Sequence, residues 1–267
     1  MKGCVLMSRG DALDVVLNKI HNIEDWKSLV DICDCAYKIK PEELSHVGLV
    51  KNFNQEIRSN YGHTFLNMFR DEYEPDYEEI VRETAIKLKI KSVPDKLNSI
   101  FDVECAERLI VGKILEEVKA SIIKKEGYAA WEKIEADAKE HMEKLYREGK
   151  ISTIDYTQYI KIAGKGGLIA LIIAGKMSGF IVYMLANQLF FAVARSLGIS
   201  IGVAVAGPII GRTISIFLGP VGWVLSGLWL LSDLGSTNWK KTIGTVLFIA
   251  ILRQQQKYAE MGLICDK

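Results

Sequence analysis

The residue types that most often carry catalysis or bind metals are few in this chain and irregularly spaced. Cys33 and Cys35 are separated by one residue, whereas zinc and redox motifs separate their cysteines by two. The histidines are scattered and form no His-Glu-x-x-His zinc motif: His21, His46, His63 and His141. We therefore expect no metal site, and we interpret the cysteines as core thiols in a reducing compartment.

A glycine-rich stretch, Gly164-Lys165-Gly166-Gly167, weakly resembles a phosphate-binding loop. It lacks the Gly-x4-Gly-Lys-Ser/Thr spacing of such loops, and it follows a helical pattern rather than a strand, so we interpret it as a flexible hinge. The sequence also contains neither a Gly-x-Ser-x-Gly nucleophile motif nor a basic–aromatic array for nucleic acid. We predict a protein that is not an enzyme, uses no cofactor and binds no nucleic acid.

Charge divides the chain into two parts. Residues 1–155 hold 30 of the 33 acidic residues, and residues 156–232 carry five basic residues and no acid. A cationic apolar half suits an anionic lipid surface, where each basic residue gains about 1 kcal/mol. The alternative is that acids of the front pair with bases of the rear. We predict a charged, soluble helical domain over 1–150 and a membrane-associating apolar domain over 151–267.

Apolar residues recur at helical spacing, which predicts an all-α fold: an N-terminal soluble helical domain followed by a glycine-rich apolar helical hairpin region. The charged faces of the two clearest amphipathic helices, over 102–125 and 128–148, are expected to be solvated. The other predicted helices cover 11–20, 24–39, 76–90 and about 239–258, and one begins at Pro41 and runs through Phe53.

Three uncharged runs, 177–194, 196–211 and 213–232, are separated only by Arg195 and Arg212. A helix of 18 residues spans roughly 27 Å, close to the roughly 30 Å hydrocarbon thickness of a bilayer. These runs favour insertion into a membrane, either as hairpins or as transmembrane helices. The alternative is that they form the buried helical core of a soluble protein.

In the apolar region, three sets of small residues occur at steps of four, as in a glycine zipper: Gly175 and Gly179; Gly198, Gly202 and Ala206; and Gly207, Gly211, Ser215 and Gly219. Residues spaced in this way share one helix face and allow two backbones to approach closely, which predicts self-association. Gly219-Pro220 favours a break within the third run. The predicted helix-packing and membrane residues are Gly175, Gly179, Gly198, Gly202, Gly207, Gly211, Gly219, Pro220, Gly222 and Trp223.

Three stretches together resemble a known family. They are residues 56–70, with Tyr-Gly-His-Thr-Phe-Leu-Asn-Met-Phe-Arg at the end, residues 77–90, and residues 219–243, which begin Gly-Pro-Val-Gly-Trp. In that order they resemble the YaaW-like family of uncharacterised bacterial proteins over about residues 10–255. The chain departs from the family pattern at Gly244, where a proline is usual, and at Gly62-His63, where Gly-Gly or Gly-Asn is common.

The resemblance implies an all-helical fold and carries over no catalytic residue. The family is grouped distantly with assembly chaperones of ubiquinol–cytochrome c reductase, which implies a partner-binding role for the front domain. Asp233 is expected to cap a helix or to pair with Lys240 or Lys241. Besides glycines and Pro220, the residues that match the family pattern are Asn67, Arg70, Tyr77, Asp233, Trp239 and Thr242.

Two functional hypotheses follow. In the first, the protein associates with or inserts into the lipid bilayer from the cytoplasmic side of the inner membrane. It then self-associates as a pore-forming or membrane-disrupting effector of the toxin or defence type. In the second, it is a cytoplasmic, soluble or peripheral chaperone-like protein that binds an unknown protein partner, and its apolar segment is a buried helical core.

Overall fold

The computed structural model describes residues 11–61, 75–149, 151–174, 189 and 237–260. These residues form helices and connecting turns and include no strand, which confirms the predicted all-α fold. Of the predicted glycine-rich apolar region over 151–267, residues 175–236 lie outside them apart from the buried Leu189. The helices are α1 (Ala12–Leu17), α2 (Ile23–Cys33), α3 (His46–Asn60), α4 (Tyr77–Lys87), α5 (Ile100–Glu126), α6 (Tyr128–Arg147), α7 (Thr153–Ala174) and α8 (Thr237–Glu260).

Side-chain caps explain where several helices begin. The carboxylate of Asp11 accepts hydrogen bonds from two backbone N–H groups at the start of α1, and Asn22 caps α2 in the same way. The hydroxyl of Ser45 accepts the N–H of Gly48 at 3.2 Å, so α3 begins at His46. The helix predicted to begin at Pro41 is therefore wrong in its start, because Pro41 opens only a 3-10 turn, Pro41–Glu43.

Two helices end at residues with left-handed backbone geometry. Asp34, with φ 51°, follows α2, and Lys89, with φ 60°, follows α4. In each case the residue that directly follows the left-handed one donates its N–H to a carbonyl five positions back, Cys35 to Val30 and Ile90 to Ala85. This closure ends α2 at Cys33, earlier than the predicted residue 39.

The last helix lies in the middle of the helical body. Every side chain from Thr242 to Arg253 is buried, and α8 packs against α1, α2, α3, α4 and α5. A helix that is apolar around its whole circumference requires such surroundings. The core of the front helices is thus completed by a helix from the rear of the chain, while the boundary predicted at residue 150 stays a prediction.

The remaining helices form a second packed group around α5. This helix has 27 residues and is about 40 Å long, so it reaches from α4 and α8 to α6 and α7. The apolar stripe of α6 is buried throughout, as its spacing predicted: Trp131, Ile134, Ala138, Met142 and Leu145. Across the part of the chain that the structure describes, no helix combines the length and apolar character needed to cross a bilayer.

Candidate functional site

Three helices bring a tyrosine, a glutamate and an arginine together in the core. Tyr77 is the first residue of α4, Glu107 lies within α5, and Arg253 lies near the end of the buried stretch of α8. All three side chains are almost fully buried, with exposed fractions of 0%, 1% and 2%. Buried charges require partners, so the geometry of this cluster determines what it does.

The guanidinium of Arg253 grips the carboxylate of Glu107 with two hydrogen bonds. Its Nε donates to Oε2 at 2.9 Å, and its Nη2 donates to Oε1 at 3.1 Å. The hydroxyl of Tyr77 also donates to Oε1, at 2.9 Å, and the guanidinium lies 5.9 Å from the centre of the Tyr77 ring. Such a two-pronged contact fixes orientation as well as distance.

Burial raises the pKa of Glu107, and the charge of Arg253 and the two sets of hydrogen bonds oppose that rise. The pKa of Tyr77 lies well above its ordinary value, again mainly because of burial. Both carboxylate oxygens are occupied by donors, so Glu107 is poorly placed to act as a base. The arrangement is suited to setting the rotation and register of α8 against α4 and α5.

This cluster continues for one more turn of α8. The Lys257 ammonium lies 2.5 Å from the Glu104 carboxylate, and at the other end of α8 Lys241 lies 3.2 Å from Asp34. Acids of the front thus pair with bases of the rear, as the alternative reading of the charge pattern expected. The prediction that the charged face of α5 is solvated is wrong at Glu107, because α8 covers it.

The family-matched residues of α8 also contact the front helices. The Trp239 and Tyr61 rings pack edge to face with their centroids 5.8 Å apart. The Lys87 ammonium lies 5.5 Å from the centre of the Trp239 ring. The Thr242 hydroxyl donates to the carbonyl of Asn60 at 3.4 Å. With Tyr77, these two are the family-matched residues that the structure describes, and all three hold α8 or its surroundings in place.

A second buried network, which the sequence did not reveal, joins α1, α3 and α4. Arg58 donates to Asn54 at 2.5 Å, to the carbonyl of Pro75 at 2.6 Å and to Asp11 at 2.5 Å. Asp11 also accepts the backbone N–H of Tyr77 at 3.0 Å. An arginine on the polar face of an amphipathic helix gives no local signal of burial, since Pro75 and Asp11 lie 17 and 47 positions away in the sequence.

Two buried cysteines lie at the end of α2, and the first of them contacts α8. The Cys33 sulfur lies 3.5 Å from the Thr245 hydroxyl, and the Cys35 thiol donates to the carbonyl of Val30 at 3.8 Å. The pKa of Cys35 is raised strongly, mainly by a hydrogen bond with Cys33 and to a smaller extent by burial. These two residues are core thiols, as predicted, although Cys105 is only partly buried. Within the described ranges, no group of three or more metal-ligating side chains occurs.

The glycine-rich stretch 164–167 lies inside α7, where the backbone breaks at Gly167 with φ 76° and ψ 172°. After the break, the N–H of Leu168 donates to Oε1 of Glu135 from α6 at 3.3 Å. A phosphate loop would need that N–H for its ligand, and here a carboxylate of the protein already occupies it.

The remaining predicted site residues lie outside the described part of the chain. They comprise the proposed helix-packing positions and three family-matched positions: Gly175, Gly179, Gly198, Gly202, Gly207, Gly211, Gly219, Pro220, Gly222, Trp223, Asn67, Arg70 and Asp233. The predicted roles of these residues stay predictions. Lys241, one expected partner of Asp233, pairs with Asp34.

Comparison with known proteins finds one relevant similarity. The chain is 35% identical over 85 residues to a UPF0174 protein of Helicobacter pylori (strain J99), a match that covers 32% of this chain and 33% of that protein. No family model matches the chain. The search of solved structures found no match to the chain. The similarity supports the coarser part of the resemblance, a likeness to bacterial proteins without an assigned activity, over about a third of each chain.

Proposed function

We propose that this protein associates with membranes through residues 175–236 while its helical body stays at the bilayer surface. The segment carries four charged residues, Lys176, Arg195, Arg212 and Asp233, among long uncharged runs. The observation that carries the proposal is that helices anchored in the body flank the segment on both sides. α7 packs on α5 and ends at Ala174, and α8 begins at Thr237 and fills the core.

Tethering at both ends suits a hairpin that enters and leaves on the same side of a bilayer. Three of the four charges in the segment are basic, and basic residues at the edge of a bilayer gain from anionic headgroups and extend their long side chains towards water. We place the body on the cytoplasmic side of the inner membrane. The partner is then the lipid bilayer itself.

Self-association is the second part of the proposal. The four-residue steps of small side chains, such as Gly198–Gly202 and Gly207–Gly211, would let inserted helices of several copies pack closely. An assembly of this kind would perforate or disrupt a membrane, which is the action of a toxin or defence effector. Gly202→Leu combined with Gly211→Leu should reduce the oligomer to monomers in detergent, measured by light scattering, and an unchanged mass would argue against this packing.

Membrane association is tested by extracting the membrane fraction of cells that express the intact chain with alkaline carbonate. We expect the protein to remain in the pellet. A variant with one acid in each uncharged run, Leu185→Asp, Val205→Asp and Leu225→Asp, should move to the supernatant, because each acid at mid-membrane costs roughly 3 kcal/mol.

A matched control places three acids on exposed apolar residues of the body: Tyr37→Asp, Val47→Asp and Phe101→Asp. The side chains of these residues are about two-thirds or more exposed, so the fold should tolerate the changes. This control should stay in the pellet. Complete release of the wild-type chain into the supernatant would contradict the proposal.

A specific observation keeps the chaperone-like alternative in view. The apolar run of α8 is packed inside the body and held by the Arg253–Glu107 pair, so one apolar part of the rear half does serve as a protein core. If residues 175–236 were packed in the same way, the protein would be monodisperse in the absence of detergent. Analytical ultracentrifugation without detergent separates the two functions.

A further inference from the structure

Helix α7 is built as two helical halves that meet at Gly167. A positive φ of 76° is costly for residues with a side chain and available to glycine. A Cβ at this position would also lie 3.0 Å from Oε1 of Glu135, a tight contact that the glutamate side chain would have to relieve by shifting. The backbone angle therefore favours glycine at the break, and a larger residue there would also disturb Glu135.

Glu135, which lies in α6, caps the second half of α7. In a continuous helix the N–H of Leu168 would bond to the carbonyl of Gly164, and the break removes that partner. Oε1 of Glu135 accepts this N–H at 3.3 Å instead. A negative charge at the first turn of a helix also interacts favourably with the helix dipole. The bent form of α7 thus has a dedicated acceptor.

The bend lets both halves of α7 pack on the body. In the first half, the Tyr156 ring stacks on the Tyr146 ring of α6 with centroids 4.0 Å apart. In the second half, Leu168, Ile169 and Ile172 are buried. Straightening at Gly167 would lift one half away from its surface. Residues 175–236 follow this second half in the sequence, so the joint lies in the element that directly precedes them.

We propose that Glu135 and Gly167 form a latch that holds α7 bent and keeps its apolar second half docked on the body. When the hydrogen bond between Glu135 and the N–H of Leu168 breaks, α7 straightens and directs the following segment away from the body. Gly164 and Gly166 lie in the helix beside the joint, where glycine weakens helical structure. The destination of the segment, a lipid bilayer, rests on the proposed function.

Amide hydrogen exchange of the full chain tests the latch itself. In Glu135→Ala we expect the amides of Leu168 and Ile169 to exchange about five- to tenfold faster, the change expected from losing a helix cap. Glu135→Gln keeps an acceptor oxygen without the charge and should fall between that variant and the wild type. Glu132→Ala changes an exposed residue of the same helix and should leave these amides unaltered. Unchanged exchange in Glu135→Ala would overturn the latch.

Flotation with vesicles that contain an anionic phospholipid tests what the latch controls. We expect Glu135→Ala to reach half-maximal binding at about a fivefold lower lipid concentration than the wild type. Faster exchange with the same lipid dependence would show a joint that does not govern the apolar segment, and would overturn that part of the inference. If neither the wild type nor the variant floats, the membrane function fails while the exchange result still decides the latch.

Discussion

Asp25 is a buried acid whose surroundings do not support its charge. Its exposed fraction is 7%, and Oδ1 has no hydrogen-bond partner in the described structure. Burial, with a smaller contribution from Glu24, raises its pKa to about 7. Because the folded pKa lies above the unfolded value of 3.8, the folded state binds the extra proton between pH 4 and pH 7. This residue therefore lowers stability as the pH rises through that window.

Replacing Asp25 by Asn should raise the free energy of unfolding at pH 8 by about 2 kcal/mol and flatten its dependence on pH between 4 and 7. The difference between the two pKa values corresponds to roughly 4 kcal/mol of destabilisation by the charged form. The expected gain is smaller because the buried amide of asparagine would also lack a hydrogen-bond partner. Urea unfolding at several pH values measures both effects. Asp137→Asn, at an exposed position of α6, is the matched control and should change neither.

Removing one partner of the Glu107–Arg253 pair is expected to cost more stability than replacing both partners. Arg253→Met should lower the free energy of unfolding by about 3–5 kcal/mol, because it leaves the Glu107 charge buried with the Tyr77 hydroxyl as its donor. The double variant Glu107→Met with Arg253→Met should lose much less than the sum of the two single changes. A double-mutant cycle in urea measures this coupling, and additive losses would mean that the two groups do not depend on each other.

At the scale of the helices, the end of α4 uses a residue that is poorly suited to left-handed geometry. Lys89, after α4, has a φ of 60°. Lys89→Gly should stabilise the protein by about 0.5–1 kcal/mol, because glycine adopts this angle without steric cost. The same change at Lys51, an exposed position inside α3, should destabilise it by about 1 kcal/mol. Thermal unfolding of both variants checks the prediction, and a shift of the same sign in both would refute it.

The helices also show what local sequence can and cannot predict. The stripes of α5 and α6 follow from spacing alone, and all the apolar residues predicted for them, such as Ile110 and Trp131, are buried. Glu107 and Arg58 carry no such local signal, since their partners lie 146 and 47 positions away. The helix start predicted at Pro41 was wrong for a different reason. Proline permits a helix to begin, but α3 begins after Ser45, whose side chain caps it.

At the scale of the whole molecule, the core depends on both ends of the chain. The front helices α1 to α5 surround α8, which is separated from them in sequence by the apolar segment. Folding of the front must therefore wait for, or be completed by, the last helix. Contacts between residues so far apart in sequence are formed late or slowly in folding. An intermediate that lacks α8 would leave the apolar faces of five helices uncovered.

This dependence predicts that residues 1–155 alone are helical but loosely packed. We expect the fragment to bind a hydrophobic dye and to unfold without a sharp transition, because the surface that α8 covers is exposed. A peptide of residues 237–260 added in trans should restore cooperative unfolding and displace the dye. The matched peptide with Arg253→Glu should fail, since it places a second carboxylate beside Glu107 in a buried site. Calorimetry of the fragment alone and of its mixture with each peptide measures these effects. Cooperative unfolding of the fragment without any peptide would show that the front helices form a complete core by themselves. Equal rescue by both peptides would show that the docking of α8 does not depend on the buried ion pair.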